Sequence, residues 1–274
     1  VRTFHSHLLT CLIAVATAVS APTPTLAGDV VSIVVLRENA VGSAAQAQGY
    51  LDAIIDATAR ANGWPAAAGK YHTRREQAEA YIASAAPEFG ILSLAAFLGL
   101  RSKHGLKVVG KAKVTGAGGG QYFIVSKDAK DLAGCKGKTL ATDHATDPRF
   151  LEKVVARGAF KLSDFELVKT RRPMQTVKAA IRGEAVCALV DDAQIAELGS
   201  VEGGETLSSV WKSARMPPMV VVAFPGATAA QVKTFRGSLA KICKGSGRKA
   251  CRSAGIESLA PAAASEYKTV VSAY

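Results

Sequence analysis

The apolar positions of this chain alternate between short, nearly unbroken runs and stretches where they recur every three or four residues. Residues 30–36 (VVSIVVL) are such a run, the pattern of a strand buried on both faces. From Ser43 the period changes. Ala47, Leu51, Ile54 and Ile55 share one helical face, Thr58 extends it, and Ser43-x-x-Gln46 has the form of a capping box. Thr73-x-x-Glu76 opens a second predicted helix reaching about Ser84, followed by a strand at 89–92, a helix at 94–103 and a strand at 107–114. After the glycine-rich break 116–120, read as a flexible connection, strands are expected at 122–126, 138–141, 165–169, 185–190 and 219–224. Residues 128–137 read as a turn. Helices are expected near Asp147-Pro148, from Pro173 to Arg182, from Thr228-x-x-Gln231 along Val232, Phe235, Leu239 and Ile242, and from about Ala262 to the end.

Strand–helix alternation predicts an α/β fold, and its interruption at the glycines predicts two bodies, each a mainly parallel sheet flanked by helices. Residues 8–19 (LLTCLIAVATAV) follow Arg2 and precede the small residues of Thr25-Leu26-Ala27, so residues 1–27 read as a signal peptide with Gly28 starting the mature, exported chain. Four cysteines remain after it: Cys135, Cys187, Cys243 and Cys251. In an oxidising compartment they suggest disulfides. Cys243 and Cys251 flank KGSGRKA, a short flexible stretch that can bring them together. Cys135 and Cys187 can pair only if their strands are neighbours.

With 34 Lys and Arg against 22 Asp and Glu, the charge balance suits an anionic ligand, although solubility alone also accounts for it. The cations are scattered, without the basic runs and aromatics of a nucleic-acid binder. Gly116–Gly120 lacks the last glycine of a dinucleotide fingerprint, and 134–139 (GCKGKT) lacks the first glycine of a phosphate loop; both run into strands rather than helices. No pattern marks a cofactor or a catalytic site. Asp143, His144 and Asp147 form the one cluster that invites a metal or catalytic reading, and it would need a further partner.

The order of segments resembles a known family. APEFGILSLAAFLGL, GLKVVGKA, GGGQYFIVSKD and DLAGCKGKT in 86–139, TVKAAIRGEAVCALVD in 176–191, SARMPPM in 213–219 and the stretch from Gly255 to Tyr267 follow the pattern of the phosphate/phosphite/phosphonate-type substrate-binding proteins of ABC transporters. That resemblance implies a type 2 periplasmic binding protein fold, with lobe one at 28–115 plus 222–274, lobe two at 116–221, and ligand trapped between them by hinge closure. It also implies an inner-membrane ABC permease as partner and a monomer in the periplasm; a sensing or accessory module using the same fold is the alternative. The family's S-T-S-G phosphonate loop is replaced here by Thr142-Asp143-His144-Ala145-Thr146-Asp147-Pro148-Arg149, so its ligand contacts do not carry over.

Ligands of parallel sheets bind beyond the carboxyl ends of the strands, where helix N-termini present free N–H groups. The strand-to-helix junctions therefore supply the expected site: Arg37, Glu38 and Ser43; Tyr71 and Thr73; Ser93; Thr142, Asp143, His144, Thr146 and Arg149; and Arg171 after a fifth strand. Arg37, Arg149 and Arg171 suit a carboxylate or phosphoryl group, and Glu38 or Asp143 a ligand ammonium or those arginines.

Overall fold

The computed structural model describes residues 30–39, 44–115 and 118–274. The signal-peptide reading of 1–27, the start at Gly28 and the cap at Ser43 lie outside the described residues. The chain begins with β1 (Val31–Leu36), α1 (Ala44–Asn62), β2 (Ala67–His72), α2 (Arg75–Ala85), β3 (Phe89–Leu92), α3 (Leu94–Leu100) and β4 (Lys107–Val114). A second series holds β5 (Tyr122–Ser126), α4 (Leu132–Cys135), β6 (Thr139–Thr142), a π-helical segment at Phe150–Val155, β7 (Glu166–Lys169), α5 (Pro173–Ile181), β8 (Cys187–Asp191), α6 (Asp192–Glu197) and β9 (Ser208–Lys212). The return consists of β10 (Met219–Ala223), α7 (Ala229–Ile242), α8 (Gly247–Ser253), β11 (Ile256–Pro261) and α9 (Lys268–Ala273).

These strands build two sheets, ordered β11-β4-β10-β3-β1-β2 and β7-β6-β8-β5-β9. Each is the centre of one lobe. In lobe one the interior strands β4 and β10, and in lobe two β5, each run antiparallel to both neighbours. β10 and β5 are the strands on which the chain arrives from the other lobe. The predicted apolar run at β1 is explained by its two faces. Val31, Ile33 and Val35 pack with Leu51, Ile54 and Ile55 of α1, while Val34 and Leu36 join the core around α2 and α3. Thr58 is buried on the same face of α1 and is satisfied because its hydroxyl donates to the Ile54 carbonyl, 2.8 Å away.

Three local expectations are corrected. The chain leaves β2 still extended, so α2 is capped at Arg74, without a side-chain bond, and Thr73 falls one position too early to cap it. Thr228, by contrast, does close its capping box: its hydroxyl accepts from the Gln231 backbone N–H at 3.2 Å, and the Gln231 side-chain Oε1 accepts from the Thr228 N–H at 2.8 Å. The turn expected at 128–137 contains the short helix α4, and the stretch between Cys243 and Cys251 is largely helix α8 rather than flexible.

The two crossings between the lobes run side by side. Met216 N–H donates to the Gly120 carbonyl (2.9 Å), Ser213 N–H to that of Tyr122 (2.8 Å), and the Gln121 side chain to that of Ser213 (2.7 Å). Both disulfides form. Because β6 and β8 are neighbours, Cys135 and Cys187 come within 6.0 Å between α carbons, and Cys243 and Cys251 within 5.5 Å. Closing the unfolded chain over a separation of 52 residues is expected to stabilise by about 4 kcal/mol, and over 8 residues by about 2.5 kcal/mol. Urea denaturation of C135A/C187A and C243A/C251A should therefore show the larger loss in the first pair.

Candidate functional site

A cleft of about 480 Å³ opens between the lobes. Lobe one contributes Arg37, Glu38 and Asn39 from the end of β1 and Ser93 at the start of α3; lobe two contributes His144, Thr146, Asp147, Asp191 and Asp192; the return crossing contributes Arg215. These positions follow the rule for strand ends. β1 ends at Leu36, β3 at Leu92, β6 at Thr142 and β8 at Asp191, and in each the polar residues that follow the apolar run line the opening.

The lobes are tied together across this cleft by Arg75, in the first turn of α2. Its Nε and Nη2 donate to the two carboxylate oxygens of Glu38, at 2.7 and 3.0 Å, while Nη1 donates to Asp147 Oδ2, at 3.0 Å, in lobe two. Gly99 of α3 makes room, since a Cβ there would collide with the guanidinium. Burial works against the arginine's charge, but the bonds to Glu38 and Asp147 more than offset it and hold its pKa above the ordinary value. Asp147 also caps the helical turn after it, with Oδ1 accepting from the Phe150 N–H at 3.0 Å, and Oδ2 accepts from the Tyr274 hydroxyl at 3.1 Å. The Arg149 guanidinium lies 4.6 Å from the centre of the Tyr274 ring.

A second link runs through His144. Its Nδ1 is 3.0 Å from the Asn39 amide nitrogen and its Nε2 3.1 Å from Gln194 Oε1. Behind it, Asp143 Oδ1 accepts from the Thr176 hydroxyl at 2.8 Å and the Gln194 amide at 3.2 Å, while Oδ2 is buried without a partner. The Tyr122 ring meets the imidazole edge-on at 5.2 Å. Burial by itself lowers the pKa of His144, but the charges of Asp143 and Asp191, the bond to Gln194 and the charge of Glu38 outweigh it and raise the pKa above 6.5. In the protonated form both ring nitrogens donate, and the Asn39 amide turned about its last bond presents the oxygen that Nδ1 requires.

Asp191 caps α6 by accepting from the Ala193 and Gln194 N–H groups, each at 3.1 Å. Its other oxygen accepts from the Gly119 N–H at 3.0 Å, and Asp192 accepts from the Gly120 N–H at 2.9 Å. A side chain at Gly118 would run into the Asp191 carboxylate, where φ is +73° as well, and one at Gly120 would crowd Asp192. The glycine run is therefore a set of N–H donors packed against two carboxylates, besides a connection between lobes. Burial pushes the Asp191 carboxyl above the usual range.

The expected site residues separate into groups. Arg37, Glu38, Ser93, His144 and Thr146 line the cleft, while Asp143 and Thr142 are buried behind it, where the Thr142 hydroxyl accepts from the His144 N–H. Tyr71 and Thr73, with Arg37 again, line a separate cavity of about 300 Å³. Arg149 and Arg171 are exposed and do not converge with Arg37. Asp143 and His144 share Gln194 while Asp147 bonds to Arg75 and Tyr274, and among the described residues no group of three His, Cys, Asp or Glu side chains is placed to hold a metal ion. Asn39, Arg75, Asp191, Asp192 and Gln194 carry the bonding of the site without having been singled out. Asp191 and Asp192 sit at one strand-to-helix junction and Arg75, the first residue of α2, at another, so all three were accessible to the same rule.

Two α/β lobes joined by paired crossings and facing each other over a polar cleft define the two-lobed fold of type 2 periplasmic binding proteins. The chain is similar to XAC2383 from Xanthomonas citri bound to chloride ion, with a TM-score of 0.70 and 11% identity over 89% of this chain and 96% of that one. It is similar also to the binding protein component of an ABC phosphonate transporter from Pseudomonas aeruginosa (0.63, 12%, covering 85% and 81%). PhnD1 from Prochlorococcus marinus in complex with methylphosphonate gives 0.65 at 9%, covering 88% and 95%. No protein-family model and no curated sequence matches the chain.

Removing Arg75 leaves two largely buried carboxylates without their cation. Arg75→Ala is expected to cost about 3 kcal/mol in urea denaturation, and Arg75→Lys less, because an ammonium keeps the charge but not the fork. A group whose pKa rises on folding stabilises fully below its unfolded value and loses that contribution as pH rises through the folded one. Stability should accordingly contain a component that declines as pH rises above 6.5, and His144→Gln should abolish it in thermal denaturation followed against pH.

Proposed function

We propose that the protein is a periplasmic solute-binding protein serving an ABC importer, and that it holds a small solute with an anionic group in the interlobe cleft. The observation that carries this reading is the cleft itself, of about 480 Å³, with polar side chains from both lobes and a two-stranded hinge behind it. A volume of this order suits a small organic molecule. Arg37 and Arg215 offer guanidinium groups on the lobe-one and hinge sides. Asp191 and Asp192 line the lobe-two side, and their acceptor capacity suits a hydroxyl or ammonium elsewhere on the same solute. The similarity to a binding protein component of an ABC phosphonate transporter and to the binding protein of a putative sulfonate ABC transporter supports the importer assignment. Among the described residues no helix is long and apolar enough to cross a membrane.

A thermal-shift screen of phosphate, phosphonates, sulfonates, carboxylates and amino acids tests the reading. A true ligand raises the melting temperature progressively with concentration, equivalent to about 2.7 kcal/mol at a hundred times Kd. Arg37→Ala and Arg215→Ala should weaken the shift. Stabilisation confined to cations or neutral sugars would remove the anionic group from the proposal, and turnover of any compound would remove the binding-protein class.

A further inference from the structure

We propose that lobe one carries a docking surface for an anionic phospholipid membrane, formed by the end of α7 and by α8. The inference is independent of what the cleft holds. Residues 241–252 (KICKGSGRKACR) contain five cations, Lys241, Lys244, Arg248, Lys249 and Arg252, and no acidic residue. All five are exposed. Among the described residues none of the five meets a carboxylate. Elsewhere in the same lobe Lys103, Lys111 and Lys113 each reach one within 2.8 Å. Five like charges gathered without internal partners leave a strong positive field at one place on the surface.

A covalent frame keeps these charges together. Cys243 and Cys251 join the end of α7 to α8 with α carbons 5.5 Å apart, and Lys244 and Arg252 are the residues next to the two cysteines. Along α8, Arg248, Lys249 and Arg252 fall within about 100° of the helix circumference, while Gly247 and Cys251 are buried. A Cβ at Gly247 would strike the Ile242 carbonyl and lie 3.4 Å from the Ala57 Cβ, so α8 is seated against α7 and α1. A recess of about 350 Å³ is lined by Arg248, Arg252 and Thr115; the one carboxylate in its wall, Glu257, is taken by Lys113 at 2.8 Å. Such a recess admits a head-group phosphate between two guanidinium groups. The patch lacks an apolar centre: among the described residues the exposed large hydrophobics are Val30 and Tyr50, and neither belongs to it. Protein interfaces are centred on buried aromatic and aliphatic anchors. A cluster of cations without anchors matches instead a field of anionic head groups, where each charge contributes without a shape match.

The test is co-sedimentation of the mature chain with vesicles of phosphatidylcholine alone and of phosphatidylcholine mixed with phosphatidylglycerol. At about 0.1 M salt the wild type should partition onto the anionic vesicles and not the neutral ones, and it should release at about 1 M, where the Debye length falls to about 3 Å. Lys244→Gln combined with Arg248→Gln should weaken partitioning about 25-fold, at about fivefold for each cation near the surface. Lys127→Gln combined with Lys130→Gln removes the same charge from exposed positions of lobe two. That control should change partitioning by less than about threefold, since charges beyond a Debye length of the membrane are screened. Equal losses in the two double variants mean that net charge alone drives the association, and overturn the patch. No partitioning onto anionic vesicles at about 0.1 M salt, or equal partitioning onto neutral ones, also overturns it. Retention of the wild type on immobilised polyglutamate without vesicle binding assigns the surface to an acidic protein and overturns the membrane as its partner.

Discussion

One guanidinium group holds the geometry of this molecule together. Arg75 reaches from α2 to Glu38 at the end of β1 and to Asp147 at the start of the helical turn after β6, so a single side chain fixes the end of a strand in each lobe. The fork is possible because Gly99 leaves a gap in α3 and because Asp147 is already aimed by its bond to the Phe150 N–H. Desolvating three charged groups is costly, and the arrangement is tolerable only because every arm of the guanidinium is used, including one to the Ala95 carbonyl. The cleft is thereby built around a pre-formed electrostatic joint, with its remaining carboxylates, Asp191 and Asp192, held by backbone N–H groups instead of by cations.

How much of this was legible in the sequence follows from burial. Strands β1, β3, β5, β8 and β10 lie inside their sheets, are covered on both faces, and appear as apolar runs. The strands that the pattern did not reveal, β2 (AAGKYH), β9 (SSVWK) and β11 (IESLAP), are all sheet edges, half exposed and without an apolar excess. The cysteine pairs were legible for a similar reason: local separation suggested one, and adjacency of two strong strands allowed the other. The strand-end rule located the cleft. It did not locate the bonding within it, because Arg75 meets Glu38 and Asp147 only across sequence separations of 37 and 72, and Asn39 meets His144 across 105. Charges counted along a chain do not say which of them are already spent on each other.

The same limit explains the arginines. Arg37, Arg149 and Arg171 look equivalent at strand ends, yet only Arg37 faces the cleft, whereas Arg149 covers the Tyr274 ring and Arg171 points to solvent. The loop 142–149 is engaged in internal bonding: Thr142, Asp143, His144 and Asp147 each have a partner within the protein. This loop assembles a buried polar network.

Strand β8 has a mechanical meaning that its hydrogen bonds alone do not convey. Its first residue, Cys187, is covalently linked to α4, and its last, Asp191, grips the glycines of one crossing. A torque applied at the hinge enters lobe two along this strand and ends on a covalent tie, with β5 and β6 laced to either side. Strand β8 is thus anchored at both ends, covalently to α4 at its start and by hydrogen bonding to one crossing at its end.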